Sequence, residues 1–580
     1  MNKLIDMINK SLVITLLLFL LIVPVKAQTK KQEAGPKREV TLYNPYKPSL
    51  PQVKKRSFLP DMNDTTKINP KFKYDISTTP FMPEYVISPI KAASLLPDPL
   101  PKLYRSFINF GLGNYLTPLA EISITNERSK KGSIGIYARH FSSNGKIELQ
   151  NYQRVFAGYM DNDASLFGKK FFNKSLIEGS IDFSQKTRHA YGYDTSIYHY
   201  EPVKKETRMG YNNLGANLTF ASSTVDSSSF SYNFNVNYDF FYQSKSIYRQ
   251  NAGIKGLMAK SYKGFYVGSG IEYDYYRFSE SVWSKPKYIV SISPFIKKST
   301  SQWNFKIGLQ ALLDKNLTNS AQFHLYPDIK FGFNIIPSYI SFFTGLGGSL
   351  EKNDPETILK VNPFLIPDGR MFNVPNTDNA LVVFAGLLGN TGMNGNYLVS
   401  ASYSVINNLL LYSNLVYSDL VFIFEKGNHF IVLPDNAEIL TVHGEFSGKI
   451  TDKLSFLAKG NSYNYTLSEQ DHPWNKPGWD ATLGLKYNLR DKILAGAEIV
   501  GIGSRKQILT RDITSPVPLV PPSVFGMPAH FNLNLSAEYR YTKILSFWTK
   551  FNNISYNRYY EWAYYPSQRF LFMLGFTYSL

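Results

Sequence analysis

The feature that most constrains the fold is an alternation of apolar and polar residues, which recurs from Leu103 to Leu580. In 230–240 every even position is aromatic or aliphatic, whereas every odd position is Ser, Asn or Asp. The same pattern recurs in three other clear stretches, 177–188, 481–489 and 531–541. Successive side chains of a β-strand point to opposite faces, so each stretch predicts a strand with one apolar and one polar face.

A soluble β-sandwich also alternates in this way, but three properties favour a barrel in a membrane. The stretches are about 10 residues long, the length that a tilted strand needs to cross a bilayer. Their polar face is rich in Asn, Asp, Glu, Lys and Arg, as expected for a wet lumen. The chain also has 41 Tyr and 41 Phe, and aromatic rings suit the membrane–water boundary. We therefore predict an all-β fold, a transmembrane antiparallel β-barrel.

The connections between these stretches alternate in length. The short ones are 173–174, 451–453, 490–492 and 542–543, and the longer ones are 190–206, 354–378, 418–429, 466–479, 507–529 and 557–567. Membrane barrels have short periplasmic turns and longer extracellular loops. Counting with this rule predicts about 22 strands, within a range of about 16–22, and the count depends most on 113–131 and 243–262.

The N-terminus has the features of a secretory signal peptide. Lys3 and Lys10 precede an uncharged apolar segment, 12–23, and Val25-Lys26-Ala27 resembles a cleavage site. The apolar segment is shorter than the ~20 residues of a spanning helix. We therefore predict a cleaved signal peptide, 1–27, and a location in the outer membrane of a Gram-negative bacterium. The chain has no Cys, which excludes disulfides and a lipoprotein anchor.

Residues 28–101 differ from the rest because they contain 12 prolines. Proline lacks a backbone donor and resists both helices and central strands. This composition predicts an extended periplasmic arm, 28–101, ahead of a barrel domain, 102–580. The arm could contact other outer-membrane or periplasmic proteins.

The formal net charge is +19. The basic residues are scattered through strands and turns and form no stripe or basic helix, so nucleic-acid binding is not predicted. Such a surface can simply be solvated, or it can attract anionic headgroups. Outer-membrane lipid and lipopolysaccharide are the partners that this charge suggests.

The last stretch has an apolar residue at every even position and ends the chain. This arrangement is typical of a barrel-closing strand that also serves as an assembly signal, with an ordinary C-terminal strand as the alternative. The residues assigned to the signal are Phe570, Phe572, Phe576, Tyr578 and Leu580.

Several strand-and-turn motifs of the C-terminal third carry a family resemblance. They are Asn461-Ser462-Tyr463-Asn464-Tyr465, 474–480, 487–492, 551–554, 558–560 and 565–570. This part resembles the barrel of a TonB-dependent receptor of the Bacteroidota, and a weaker resemblance extends over 80–580. The resemblance implies transport through an outer-membrane barrel. Such receptors carry a globular plug domain before the barrel, and the Pro-rich 28–102 is too short for one, so we expect a barrel without a plug domain and leave TonB coupling open.

No pattern predicts catalysis. None of the 8 His residues lies at a metal-ligand spacing from another. His443 shares a strand face with Glu445 and Lys449, which favours a polar network in the lumen over a catalytic group. We therefore predict no catalytic residue, no metal and no cofactor.

Two long loops hold candidate contact residues. In 466–479, Trp474 and Trp479 could stack on a sugar or anchor the loop at the bilayer interface. In 507–529, Pro521 and Phe525 belong to a stiff surface loop or to a ligand lid or partner-docking loop. Because an open lumen of this width would make the envelope leaky, we expect the arm or loops 354–378 and 507–529 to fold inward.

Three functions remain after these steps. The first is transport or permeation of an unknown solute. The second is a non-transporting subunit or scaffold of a larger outer-membrane complex, with 28–101 as its contact. The third, a hydrolase embedded in a barrel, ranks last because no triad is evident.

Overall fold

The computed structural model describes most of the chain from residue 104 onward. The described residues are 104–126, 129, 131–196, 202–223, 230–244, 247–280, 282–283, 285–316, 320–366, 372–392, 395–416, 429–511 and 523–580. The predicted signal peptide, 1–27, and the predicted arm, 28–101, lie outside them. Pro521 also lies outside them.

The described residues form 28 β-strands and one short helix. The strands are β1 Ser106–Gly113, β2 Thr117–Thr125, β3 Gly132–Ser143, β4 Lys146–Glu148, β5 Arg154–Phe156, β6 Tyr159–Phe171, β7 Ser175–His189, β8 Arg208–Ser222, β9 Phe230–Ser244, β10 Ile247–Tyr262, β11 Phe265–Phe278, β12 Lys287–Ser299, β13 Trp303–Lys315, β14 Gln322–Ile336, β15 Ile340–Glu351, β16 Thr377–Asn390, β17 Gly395–Val416, β18 His429–Lys449, β19 Leu454–Leu467, β20 Trp479–Leu489, β21 Ile493–Ile502, β22 Arg505–Arg511, β23 Ser523–Met527, β24 His530–Arg540, β25 Leu545–Asn552, β26 Tyr560–Trp562, β27 Tyr565–Pro566 and β28 Leu571–Ser579. The helix, α1, spans Pro355–Val361. Within the described ranges, no helix is long and apolar enough to cross a membrane.

Twenty-two of these strands close into an antiparallel barrel, which confirms the predicted fold and strand number. Closure occurs between the first and last strands, because Phe110 of β1 pairs with Ala120 of β2 on one side and with Phe576 of β28 on the other. The β4–β5, β22–β23 and β26–β27 hairpins lie in the connections between barrel strands. The uncertain parts of the strand count are settled by a turn between Gly113 and Thr117 and by the β9–β10 connection.

Apolar side chains cover the outside of the barrel and polar side chains line the inside. On β9, Val236 and Tyr238 face outward and are 49% and 47% exposed, whereas Asn237 and Asp239 face inward. A water-soluble sheet would bury such an apolar face, so the outward face is the one that contacts lipid. The predicted transmembrane barrel is therefore confirmed.

The two ends of the barrel carry connections of different length, as predicted. At the end where the backbone N–H of Leu580 donates to the carbonyl of Ser106, the turns are short, for example 172–174 and 490–492. The longest connections, such as 352–376 and 553–570, lie at the other end. By the rule for outer-membrane barrels, the first end is periplasmic and the second is extracellular.

The glycine-rich part of β15 lies where the barrel wall bends. The pairing of β15 with β16 shifts between Gly347 and Ser349, which marks a bulge. A Cβ at Gly348 would lie 2.5 Å from the ring of Tyr326. The stretch therefore combines a bend of the barrel wall with a close approach of the backbone to a neighbouring ring.

Candidate functional site

The inserted loop, 352–376, enters the barrel from the extracellular end and carries α1. Asp354 caps the helix, since its carboxylate accepts a hydrogen bond of 2.9 Å from the backbone N–H of Thr357. Pro355 begins the helix and Glu356 lies in its first turn, where a fixed φ and a negative charge both stabilise a helix N-terminus. This local sequence explains why a short helix forms inside a long connection.

One buried arginine holds α1 against the inner wall. Arg249 projects inward from β10, and its side chain is only 4% exposed. Its guanidinium binds Asp354, Asp239 of β9 and Glu356, the last at 2.7 Å. These four residues are called the Arg249 cluster. A single cation shared by three carboxylates fixes the helix because removing it would leave buried charges unpaired.

Further polar contacts extend the attachment along the wall. The ammonium of Lys352 lies 2.7 Å from the carboxylate of Asp274 on β11. Asn213 of β8 donates a hydrogen bond of 3.1 Å to Glu356. Burial disfavours the charged form of Asp354, but the attraction of Arg249 and Lys352 outweighs it and lowers the pKa of Asp354 below its ordinary value. The inserted loop is therefore bound to β8 through β11 by charged groups.

The opposite side of the inserted loop is apolar and belongs to the largest buried cluster that the described residues form. Ile358 and Leu359 are 0% and 2% exposed. The same cluster contains Leu365 and Phe372 of the inserted loop. It also contains residues of the strands and of the final connection, among them Phe241, Tyr276, Phe278, Phe430 and Trp562. The expectation that loop 354–378 folds inward therefore agrees with the structure.

Tyr565 joins the inserted loop to the final loop, 553–570. Its ring stacks on Phe364 with 4.0 Å between centroids and lies 4.9 Å from the ring of Tyr191. The hydroxyl of Tyr191 donates to the carbonyl of Pro566 at 2.8 Å. Phe364 is also bound to β18, since its carbonyl accepts from the backbone N–H of Phe430 at 2.9 Å. Connections that start on widely separated strands thus meet at one aromatic ring.

The β22–β23 hairpin packs on the same loops. Its strand β22 runs parallel to the end of β17, with Leu509 opposite Asn414. Leu509 is buried with Ala563 and Tyr564 of the final loop. Phe525 of β23 lies 5.0 Å from the ring of Tyr564. In the structure, this candidate contact residue therefore packs against another loop of the same chain.

The two candidate tryptophans have different surroundings. Trp474 is 2% exposed, and its indole N–H donates to Gln470 at 2.7 Å. The sequence interpretation needs an exposed ring. The structure instead buries it against Gln470 and His472 of its own loop. Trp479 begins β20 on the outward face and lies 5.9 Å from Phe531. This position suits the interface-anchor interpretation, which stays a prediction.

The inner wall beside the loops is strongly polar. Asp163 of β6 lies 3.3 Å from Lys186, and Asp161 lies 2.6 Å from Arg188. Elsewhere on the wall, Nδ1 of His443 is 2.8 Å from Asn461, which agrees with a polar network at that histidine. Among the residues that the structure describes, no group of three or more His, Asp or Glu side chains could hold a metal ion.

A chamber of about 430 Å³ remains between the inserted loop, the final loop and the wall. Lys360 and Val361 at the end of α1 line it on one side, and Tyr159 and Arg188 line it on the wall. Glu561 of the final loop faces the same space. Enclosure within the barrel raises the pKa of Glu561 above its ordinary value, although its side chain is exposed to the chamber and Arg505 and Arg188 oppose this effect. The chamber is large enough for part of a small solute.

Comparisons with known proteins show the same architecture. No protein-family model matches the sequence, and no curated protein matches it. Among solved structures, the FrpB iron transporter from Neisseria meningitidis has a TM-score of 0.62 at 10% identity, covering 83% of this chain and 82% of that one. The copper transporter OprC has a TM-score of 0.60 at 13% identity, with coverages of 83% and 82%. The ferripyoverdine receptor of the outer membrane of Pseudomonas aeruginosa has a TM-score of 0.59 at 9% identity, with coverages of 83% and 72%.

At these identities the likeness concerns the fold. It confirms the resemblance to TonB-dependent receptor barrels at that level. The assignment to the Bacteroidota and the absence of a plug domain stay predictions. A closed 22-stranded barrel with an apolar outer face is an outer-membrane architecture, and the protein is located there.

Proposed function

We propose that this protein moves a solute across the outer membrane through a barrel whose extracellular mouth is closed by its own loops. The observation that carries the proposal is the inserted loop, which is bound to the inner wall through Arg249 and to the final loop through Tyr565. A barrel of this width needs such an obstruction to keep the envelope tight.

The solved structures of similar fold support transport in general terms. Their names describe an iron transporter, a copper transporter and a ferripyoverdine receptor. We propose the same class of activity here and leave the solute unnamed at this step. In the proposal, 28–101 is an extended arm, so the loops do the work of closing the lumen that a plug domain does in TonB-dependent receptors.

Opening then requires the inserted loop to leave the wall. The Arg249 cluster is held by contacts between buried charges. Separating these charges costs free energy, because each one loses its partner. The loop therefore stays closed at rest, and opening needs an input, such as ligand binding or a force from a periplasmic partner.

A reversible lock tests this proposal directly, because the chain has no cysteine of its own. The side-chain ends of Asn213 and Glu356 meet across the wall and the loop at 3.1 Å, but two cysteines at these positions would have shorter side chains than a direct disulfide needs. The pair Asn213→Cys and Glu356→Cys can instead be oxidised with a short bifunctional methanethiosulfonate, which forms a disulfide with each thiol, spans the gap to fix the loop and is released by reduction. Proteoliposomes containing this variant are incubated with an extract of spent culture medium, and the retained solutes are measured by mass spectrometry.

We expect solutes to enter when the variant is reduced and to be excluded when it is oxidised. The single variant Glu356→Cys is the control and should respond to neither treatment. Equal entry in the oxidised and reduced states would contradict gating by the inserted loop. A barrel that excludes all solutes in both states and co-purifies with a fixed partner, lost on deletion of 28–101, would instead favour the scaffold function.

A further inference from the structure

We infer that a small cavity beside the chamber binds an oxyanion group, such as phosphate, sulfate or carboxylate, of a soluble ligand. The cavity has a volume of about 90 Å³ and lies between the β4–β5 hairpin and the final loop. Three arginines line it, Arg154, Arg558 and Arg569. The inference names the ligand class of the chamber and rests on the proposed function.

The three arginines differ in exposure, because Arg154 is exposed on β5, whereas Arg558 and Arg569 are partly buried. Among the described residues, none of the three takes part in an ion pair, and Nε and Nη2 of Arg558 are buried without a hydrogen-bond partner. Arg569 instead lies over the ring of Tyr556, at 5.0 Å from its centroid. Ring contact orients this guanidinium but leaves its N–H donors free.

The charge of the lining is also unbalanced. Glu148, which pairs with Arg154 in the β4–β5 register, is the single acidic residue that lines the cavity beside the three arginines. Like charges that converge on a small space repel each other, and buried donors without acceptors are costly. An oxyanion placed between them would remove both costs, because the guanidinium fork matches the two oxygens of such a group.

The position of the cavity indicates where the rest of the ligand lies. Ile147, Ser567 and Arg569 line both the small cavity and the chamber of about 430 Å³. The small cavity holds one phosphate-sized group, and the chamber has room for the body of a solute. On the chamber side, Lys360 and Arg188 are already paired with Glu356 and Asp161, so the positive charge offered to a ligand comes from the small cavity. The ligand is therefore a small solute with at least one oxyanion group, recognised at the extracellular side of the barrel.

Binding of inorganic phosphate and sulfate to the full-length barrel, purified in detergent and freed of lipopolysaccharide, tests this inference by isothermal titration calorimetry. We expect saturable binding that falls by about tenfold or more in Arg558→Gln and in Arg569→Gln, since each removes charge-assisted hydrogen bonds. Arg105→Gln is the matched control, because this exposed arginine lies near the periplasmic end, and its affinity should equal that of the wild type. Heat-modifiable migration on gels shows that each variant is folded.

The absence of saturable binding to the wild type, or equal binding by all variants, would overturn the inference. Purified lipopolysaccharide is added in a competition arm, and displacement of phosphate by it would overturn the assignment to a soluble ligand in favour of a lipid headgroup. The proposed function is contradicted by a different result. A barrel that binds phosphate but admits no solute would contradict transport and still support the oxyanion site. Conversely, if solute entry is unchanged in Arg558→Gln and Arg569→Gln, the transport proposal stands and the assignment of the cavity to the transported ligand is contradicted.

Discussion

The ring of Phe364 stacks on that of Tyr565 with 4.0 Å between centroids and an interplanar angle of 25°. The two residues belong to connections that leave the barrel from β15 and β25, far apart along the chain. Their contact joins the loop that enters the lumen to the loop that covers the chamber. A single change at this contact should therefore weaken the closure of the extracellular mouth.

Truncation of Tyr565 should loosen the loops without unfolding the barrel. The side chain is 1% exposed, and replacing a buried aromatic with alanine costs about 3–5 kcal/mol. Tyr565→Ala should therefore make the inserted loop and the final loop sensitive to trypsin while the barrel keeps its heat-modifiable migration. Tyr152→Ala is the control, because Tyr152 is 80% exposed. Identical digestion of the two variants would show that Tyr565 does not join the loops.

Loss of Arg249 should release the inserted loop from the wall. Arg249→Met leaves Asp239, Asp354 and Glu356 without their shared cation, and breaking a buried ion pair in this way costs about 3–5 kcal/mol. Cleavage by trypsin at Lys360 should become rapid. Lys255→Met is a matched control on the same strand, since its pair with Glu272 is exposed and such pairs contribute less than about 1 kcal/mol. A protease pattern unchanged in Arg249→Met would contradict the attachment.

Acid should weaken the Arg249 cluster only at low pH. The pKa of Asp354 is lower in the folded protein than in the unfolded chain, so its contribution to stability is complete above the ordinary pKa of about 3.9. It is lost as the pH falls through the lower, folded value. Trypsin cannot be used in acid, so pepsin digestion reports the release. Cleavage of the inserted loop at about pH 5, well above that ordinary value, would contradict the low pKa.

Glu561 should have the opposite pH dependence. Enclosure within the barrel beside the chamber raises its pKa, so its charged form disfavours the folded loop above that raised value. The effect disappears as protonation becomes complete. Glu561→Gln should therefore increase the unfolding temperature at neutral pH and have no effect below about pH 4. A lower unfolding temperature of the variant at neutral pH would mean that attraction by Arg505 and Arg188 outweighs burial.

The closing strand offers a test of the lipid-facing side. Phe576 faces outward beside Phe110, at 6.0 Å between centroids, whereas its neighbour Thr577 faces a cavity at the periplasmic end of the lumen. A lysine on the lipid side costs about 2–4 kcal/mol near the middle of the bilayer. Phe576→Lys should thus reduce the amount of folded barrel in the membrane fraction, and Thr577→Lys should not. Equal loss in both variants would argue against this orientation of β28.

The assembly-signal interpretation of Phe570, Phe572, Phe576, Tyr578 and Leu580 remains a prediction, although the strand itself closes the barrel as expected.

Much of the barrel could be predicted from sequence because a membrane imposes its constraint on every strand separately. Each strand must present apolar residues to lipid. The outward face of Val236 and the inward face of Asn237 can therefore be predicted from the adjacent sequence alone. The connection lengths follow a similar local rule. For this reason strand number and closure were accessible without any knowledge of tertiary contacts.

The loops were less accessible, since their contacts join distant parts of the chain. Arg249 and Asp354 are 105 residues apart, and no periodicity relates them. The sequence Asp354-Pro355-Glu356 is a helix-start signal that could have located α1, but it does not identify the wall residue that binds it. Burial of Trp474 does not follow from the sequence either, because no local pattern shows that Gln470 and His472 of the same loop fold against its ring.

Single-channel conductance in planar bilayers tests the central claim most directly. The account predicts that the full-length wild-type protein stays closed or conducts weakly, and that Arg249→Met opens to a larger conductance in otherwise identical membranes. A wild-type conductance as large as that of Arg249→Met would contradict it, because the lumen would then be open with the inserted loop in place.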